Sequence, residues 1–247
     1  MDPEQLLALF DAQLRDLDGE PAGAVRRHAG PDGNWIVRST VTAENADEVI
    51  AEQQAYFAGR GPLEWKHYGY DTPADLPARL IAAGFVAEPT ETLLVGEAAG
   101  LTGEVPAAVE IVPVTDQAGF EAIVDVQQAV RGADWRVLGT ALAAEYSKDP
   151  SAISLFMAVA GGQAVSIAWI RFHAGTDFAS LWGGSTRPEW RRRGIYRALV
   201  AHRAALAVER GYRYLQVDAS DESRPILERL GFVPLTTTTP FVWNGRG

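Results

Sequence analysis

The chain has 247 residues, 47% of them hydrophobic and 22% charged, which suits a soluble globular protein with room for two small domains. The absence of cysteine removes disulfides, thiolate nucleophiles and cysteine-type zinc sites, and the four histidines (His28, His67, His173, His202) show no paired ligand spacing, so no metal centre is expected. A net charge of −10 argues against nucleic acid as a partner and mildly favours a cationic one.

No membrane partner is expected. The longest apolar stretch, Ile153 to Ile170, is broken by Ser154, Gly161, Gly162, Gln163 and Ser166, which reads as two strands and a turn. The opening Met1-Asp2-Pro3-Glu4 lacks a basic region followed by an apolar core, so no signal peptide is expected, and a cytoplasmic location fits.

In chain order, Leu6, Leu7, Phe10, Leu14 and Leu17 predict an amphipathic helix over 3–17. A Gly- and Pro-bearing turn, Gly30 to Asn34, precedes a strand over 35–42, and a helix over 43–57 ends at Gly59, Gly61 and Pro62. A strand over 63–70, a short helix over 74–83 closed by Gly84, and a strand through Leu93, Leu94 and Val95 complete the first half. Gly96 to Pro106 has no periodicity and reads as the linker.

Beyond it come a strand (109–114), two helices (116–130 and 136–146) and three strands (152–160, 164–173 and 178–186). A helix over 195–209, a strand over 212–217, a helix over 221–230 and a last strand over 233–243 follow, so the class is mixed α/β. A constant shift of 147 positions lays Asp71–Val95 over Asp218–Val242 without a gap, pairing Asp71 with Asp218, Leu80 with Leu227 and Gly84-Phe85-Val86 with Gly231-Phe232-Val233. The matching strand–helix–strand order favours duplication over chance.

The chemistry concentrates where the strand ending at Thr186 runs through Thr186-Arg187-Pro188 into Arg191-Arg192-Arg193-Gly194 and then a long helix. The first turn of a helix leaves backbone N–H groups without partners, and these, with the positive end of the helix dipole, suit a pyrophosphate. Gly194 lets the chain turn without a Cβ near the ligand, and the arginines add charge-assisted contacts. Arginines at a helix start oppose the dipole, so the cluster points to a bound anion; an exposed, solvated arginine run is the plainer alternative.

This stretch resembles the GNAT acetyltransferase family. Its acetyl-CoA motif is Arg or Gln, two residues, Gly, one residue, then Gly or Ala, and Arg191-Arg192-Arg193-Gly194-Ile195-Tyr196 departs from it only at Tyr196. The resemblance covers roughly residues 109 to 243 and implies a central mixed sheet splayed open between two strands and flanked by helices. Acetyl-CoA would lie in the splay, its pantetheine pairing with the backbone at Ser185 and Thr186. Its pyrophosphate would meet the backbone from Arg191 through Arg192, Arg193, Gly194, Ile195 and Tyr196 to Arg197.

In the family's next motif, Ser220 takes the place of an Asn, Ser223 that of a small residue and Leu227 that of a Tyr that commonly protonates the leaving thiolate. Ser220 and Asp221 read equally as helix caps. Leucine cannot donate that proton, so either another group does so or this copy no longer acetylates. Asp134 and Trp135 lie where the family shapes its acceptor pocket, while Asp134 also suits a solvated turn. His173 reads as a structural strand-end residue, and no catalytic residue is assigned.

The same shift puts Glu44-Asn45-Ala46-Asp47 over the arginine turn, where phosphate would be repelled. The expectation is therefore a partial, degenerate GNAT-like domain over 1–96, a linker over 97–108 and an acetyltransferase domain over 109–247. The expected activity is direct transfer of acetyl from acetyl-CoA to an amine on a small molecule or peptide, in a ternary complex. The alternative is a non-catalytic acyl-CoA-binding or regulatory protein of the same fold.

Overall fold

A computed structural model describes residues 2–30, 33–132 and 134–245. Residues 31 and 32 of the expected Gly30–Asn34 turn lie outside them. The chain forms two compact units, the first of Met1–Leu94, Asp218–Pro225 and Val233–Gly247, the second of Val95–Val217 and Ile226–Phe232.

The first unit opens with α1 (Pro3–Phe10), capped by the Asp2 side chain, which accepts from the Gln5 N–H at 2.9 Å. The expected helix ends early as an α-helix and continues as a π turn over Asp11–Arg15. That turn carries Arg15 inward, where its guanidinium meets both oxygens of Asp71 at 3.0 Å and donates to the Val37 carbonyl at 2.8 Å. A short hairpin of β1 (Glu20–Ala22) and β2 (Val25–Gly30) follows, which the sequence reading missed.

Then come β3 (Gly33–Ser39), α2 (Ala46–Phe57), β4 (Leu63–Tyr68), α3 (Leu76–Ala82), β5 (Val86–Ala87) and β6 (Glu91–Glu97). Along β4 the pleat sends Leu63 and Trp65 into a core with Ile50 and Phe57 of α2 and Leu76 and Leu80 of α3. Glu64, Lys66 and Tyr68 take the other face.

The last strand, β12 (Val233–Trp243), belongs to this unit, although the sequence places it with the second half. It lies antiparallel to β4, with Thr238 opposite Tyr68 and Trp243 opposite Leu63, and β5 pairs along its end. Phe241 and Trp243 fill the same core. The internal repeat is visible as structure: the 147-residue shift carries Ala82, the end of α3, onto Arg229, the end of α7 (Arg224–Arg229).

The second unit contains β7 (Glu110–Val114), α4 (Gln117–Arg131), α5 (Arg136–Lys148), β8 (Ile153–Ala160), β9 (Gln163–Phe172), β10 (Phe178–Thr186), α6 (Ile195–Glu209) and most of β11 (Tyr214–Ala219). Asp116 caps α4 and Gly132, at φ 72°, closes it. β8 and β9 form a hairpin through Gly161 and Gly162, both at positive φ, as a two-residue turn of this hand requires.

The strand order is β7-β8-β9-β10-β11, antiparallel except for the parallel pair β10–β11. Leu155 packs into the core under α4 and α5, while its neighbour Phe156 meets His202 of α6, so the helices cover both faces. The fold is mixed α/β, as the sequence pattern implies.

Candidate functional site

The site begins where β10 and β11 part. They pair through Phe178↔Tyr214, Ala179↔Leu215 and Ser180↔Gln216 and no further, although β10 runs on to Thr186. Beyond Ser180 the strand bends. A bulge between Trp182 and Ser185 inserts one extra residue relative to β9, with Gly183 at φ 63°. A Cβ on Gly183 would fall 1.8 Å from the Trp169 ring, so only glycine allows this close approach.

Past the bulge, β10 is held by side chains. Ser185 Oγ donates to Gln127 Oε1 of α4 at 2.6 Å, and the Ser185 carbonyl accepts from Ser166 Oγ at 2.8 Å. The Thr186 hydroxyl lies 2.8 Å from Ser166 Oγ and donates to it, because Ser166 spends its one proton on the carbonyl. Arg187 anchors the strand end through the Ala164 carbonyl at 2.9 Å and Asp125 at 2.5 Å.

The turn that follows is a single 3-10 turn over Pro188–Trp190, then Arg192 at φ 59° and Gly194 at φ 83°. Arg192 is the one non-glycine residue at positive φ among the described residues, an uncommon and strained conformation. Nothing lies within 4 Å of a Cβ built on Gly194, so its glycine answers the backbone angle and not crowding. Arg191, Arg192, Arg193 and Gly194 are exposed. Arg191 Nε reaches the Thr186 carbonyl at 3.2 Å, and the Arg193 guanidinium lies 4.7 Å from the Trp190 ring centroid.

The N-terminus of α6 has no side-chain cap and no acidic residue in its first turn. The helix dipole and the exposed arginines Arg191, Arg192 and Arg193 favour negative charge there. Ile195 is buried beneath the turn and Arg197 is exposed beside it. Tyr196 departs from the family motif, and its ring packs against β10: a Cβ on Gly184 would lie 2.6 Å from its Cε2.

The second motif is divided. Ser220 and Ser223 belong to the first unit, where their hydroxyls are 3.3 Å apart and the Ser220 carbonyl accepts from the N–H groups of Ser223 and Arg224. This is turn chemistry at the start of α7. Leu227 belongs to the second unit and is fully buried, and a leucine side chain has no proton to donate.

On the acceptor side, Asp134 makes an exposed ion pair with Arg136 at 2.6 Å, and that hydrogen bonding holds its carboxyl below the usual range. The Trp135 Nε1–H is buried without a partner among the described residues, with the Arg131 guanidinium 6.0 Å from the ring. His173 Nε2 lies 2.9 Å from Ser180 Oγ, which also accepts from Trp182 Nε1 at 2.7 Å.

Gln127, Ser166, Gly183 and Gly184, which shape and hold this stretch of β10, carry no motif in the sequence. Two adjacent glycines within a strand were the available signal for the bulge.

The mixed sheet opens between two parallel strands, and an uncapped basic helix N-terminus lies at the opening. Residues 120–232 match the model of the acetyltransferase (GNAT) family.

Solved structures share the fold over almost the whole chain. A GCN5-related N-acetyltransferase from Kribbella flavida is 18% identical with a TM-score of 0.68, covering 98% of this chain and 95% of that one. One from Sphaerobacter thermophilus is 14% identical with a TM-score of 0.65, covering 99% and 92%. A tandem GNAT protein from the clavulanic acid biosynthesis pathway is 15% identical with a TM-score of 0.58, covering 90% and 79%. No curated protein matches the chain at a significant level. Among the described residues, no helix is long and apolar enough to cross a membrane.

Proposed function

We propose that the protein is an acetyl-CoA-dependent N-acetyltransferase, passing acetyl directly to an amine in a ternary complex. The observation that carries this reading is the end of β10–β11 pairing at Ser180↔Gln216, followed by the uncapped arginine-bearing start of α6. Bound acetyl-CoA would supply an activated thioester. The backbone from Arg191 to Arg197 would take its pyrophosphate, and the free edge of β10 up to Ser185 and Thr186 would run beside its pantetheine.

The reaction forms a C–N bond and breaks the C–S bond, the amine losing one proton and the thiolate gaining one. A direct route fits a chain without cysteine, which offers no thiolate to carry the acetyl group. A thiol, with a pKa of about 8.5, leaves more readily than an alcohol, so Leu227 in the acid position is compatible with turnover.

Trp135, with its unpartnered indole N–H, is the better acceptor-facing candidate of the predicted pair, since Asp134 already spends its charge on Arg136. The acceptor is an amine on a small molecule or peptide, and the cytoplasm is the fitting location. One observation favours a second reading, a non-catalytic acyl-CoA binder: a buried leucine, Leu227, stands where the resemblance implies a proton-donating tyrosine. The test is CoA release across a panel of amines, followed with a thiol reagent. Amine-dependent release supports the enzyme; release at the amine-free rate for every acceptor supports the binder.

A further inference from the structure

We propose that Arg203 is a positioning residue that ties α6 to the bulge of β10, holding the phosphate-binding turn and the splayed strand in one geometry. This rests on reading the turn as an acetyl-CoA site.

Arg203 falls on the buried stripe of α6, four residues after Leu199 and four before Ala207, where an apolar side chain is expected. It is only 1% exposed, and among the described residues no carboxylate pairs with it. Burial lowers its pKa to about 10, which still leaves it charged at neutral pH. A buried cation without a counter-ion is costly and needs its donors satisfied.

Backbone carbonyls take the Nε and Nη1 donors. Nε donates to the Leu199 carbonyl at 3.0 Å, and Nη1 donates to the carbonyls of Trp169 at 2.9 Å and Trp182 at 3.2 Å. Trp169 and Trp182 are register partners, the last before β10 bulges. The Trp182 carbonyl belongs to the peptide leading into Gly183, the residue at positive φ.

A planar guanidinium can span two neighbouring strands in a way an ammonium cannot. The packing of Tyr196 against Gly184 is a second tie between the same two elements, on the far side of Gly183. α6 is thereby fixed to β10 at both sides of the bend. A ligand that uses both elements depends on their spacing; one that uses only the helix end does not.

The test compares wild type, Arg203→Met and Arg203→Lys by amide hydrogen exchange, and by calorimetry with acetyl-CoA and with adenosine 3′,5′-bisphosphate, which lacks the thioester arm. Arg203→Met should speed exchange at residues 183–186 and weaken acetyl-CoA about tenfold, with the bisphosphate within about twofold of wild type. Arg203→Lys should fall between, and it carries the same comparison if Arg203→Met does not fold. Unchanged exchange at 183–186, or equal weakening of both ligands, would overturn the proposal. Failure of wild type to bind acetyl-CoA would instead overturn the cofactor reading, while the exchange comparison still judges the tie.

Discussion

The Tyr196 ring occupies the space that a Cβ on Gly184 would enter, its Cε2 2.6 Å from that point. The tyrosine that breaks the family motif is thus packed on the strand, and the glycine facing it completes the fit. Gly184→Ala should displace the ring and disturb the start of α6, an overpacking cost of about 1–3 kcal/mol. Calorimetry should show weaker acetyl-CoA binding, by about tenfold, for a distortion near 1.4 kcal/mol. Adding Tyr196→Leu, which relieves the clash while keeping an apolar side chain against the strand, should restore part of it; a double variant weaker than the single would contradict an overpacking cause.

In the first unit, Lys66 Nζ meets Asp218 Oδ2 at 2.5 Å, with side-chain exposures of only 14% and 9%. Thr238 of β12 donates to the other Asp218 oxygen at 3.1 Å. Neighbouring Asp218, with Tyr68 and Glu64, overcomes burial and raises the Lys66 pKa. Lys66→Met removes one member of a buried pair and should cost about 3 kcal/mol in urea unfolding. The double change Lys66→Met/Asp218→Leu should recover much of that, because removing both charges also removes their desolvation.

Glu64 lies on the same face of β4, and burial raises its carboxyl pKa against the opposing pull of Lys66. A carboxyl that holds its proton more tightly folded than unfolded makes the folded state less stable as pH rises through its folded pKa. Glu64→Gln should therefore raise the melting temperature at pH 7. The gain should shrink as pH falls through the folded pKa and vanish below about 4.3, the unfolded value. A gain that persists at pH 3.5 would contradict this account.

Local signals in the sequence carried much of the fold. β10 ends at Thr186 and α6 spans Ile195–Glu209, where the sequence places them, because an apolar strand and a long periodic helix flank an arginine turn. The β1–β2 hairpin was illegible because Arg26, Arg27 and His28 hide a strand whose polar groups find partners outside it, such as Gln53 Oε1 for Arg27 at 3.3 Å. The placement of β12 beside β4 could not be read either, since strand partners far apart in sequence leave no local mark.

The site was legible to a similar degree. The arginine turn announced itself by opposing a helix dipole. Gln127 and Ser166, which hold Ser185, act through tertiary contact alone and carry no motif. Arg203 was readable in principle, as a charge on the apolar stripe of α6. Ser220 and Ser223 illustrate the opposite case: residues suited to both a cap and a ligand contact form a turn of the first unit.

The central claim is that the turn from Arg191 to Arg197 holds the pyrophosphate of acetyl-CoA, and calorimetry tests it most directly. Wild type should bind acetyl-CoA saturably. Arg192→Glu/Gly194→Asp, which reverses a charge and adds a carboxylate at the helix start, should weaken binding at least about a hundredfold. Equal affinity of wild type and the folded double variant, or no saturable binding by wild type, would contradict the claim.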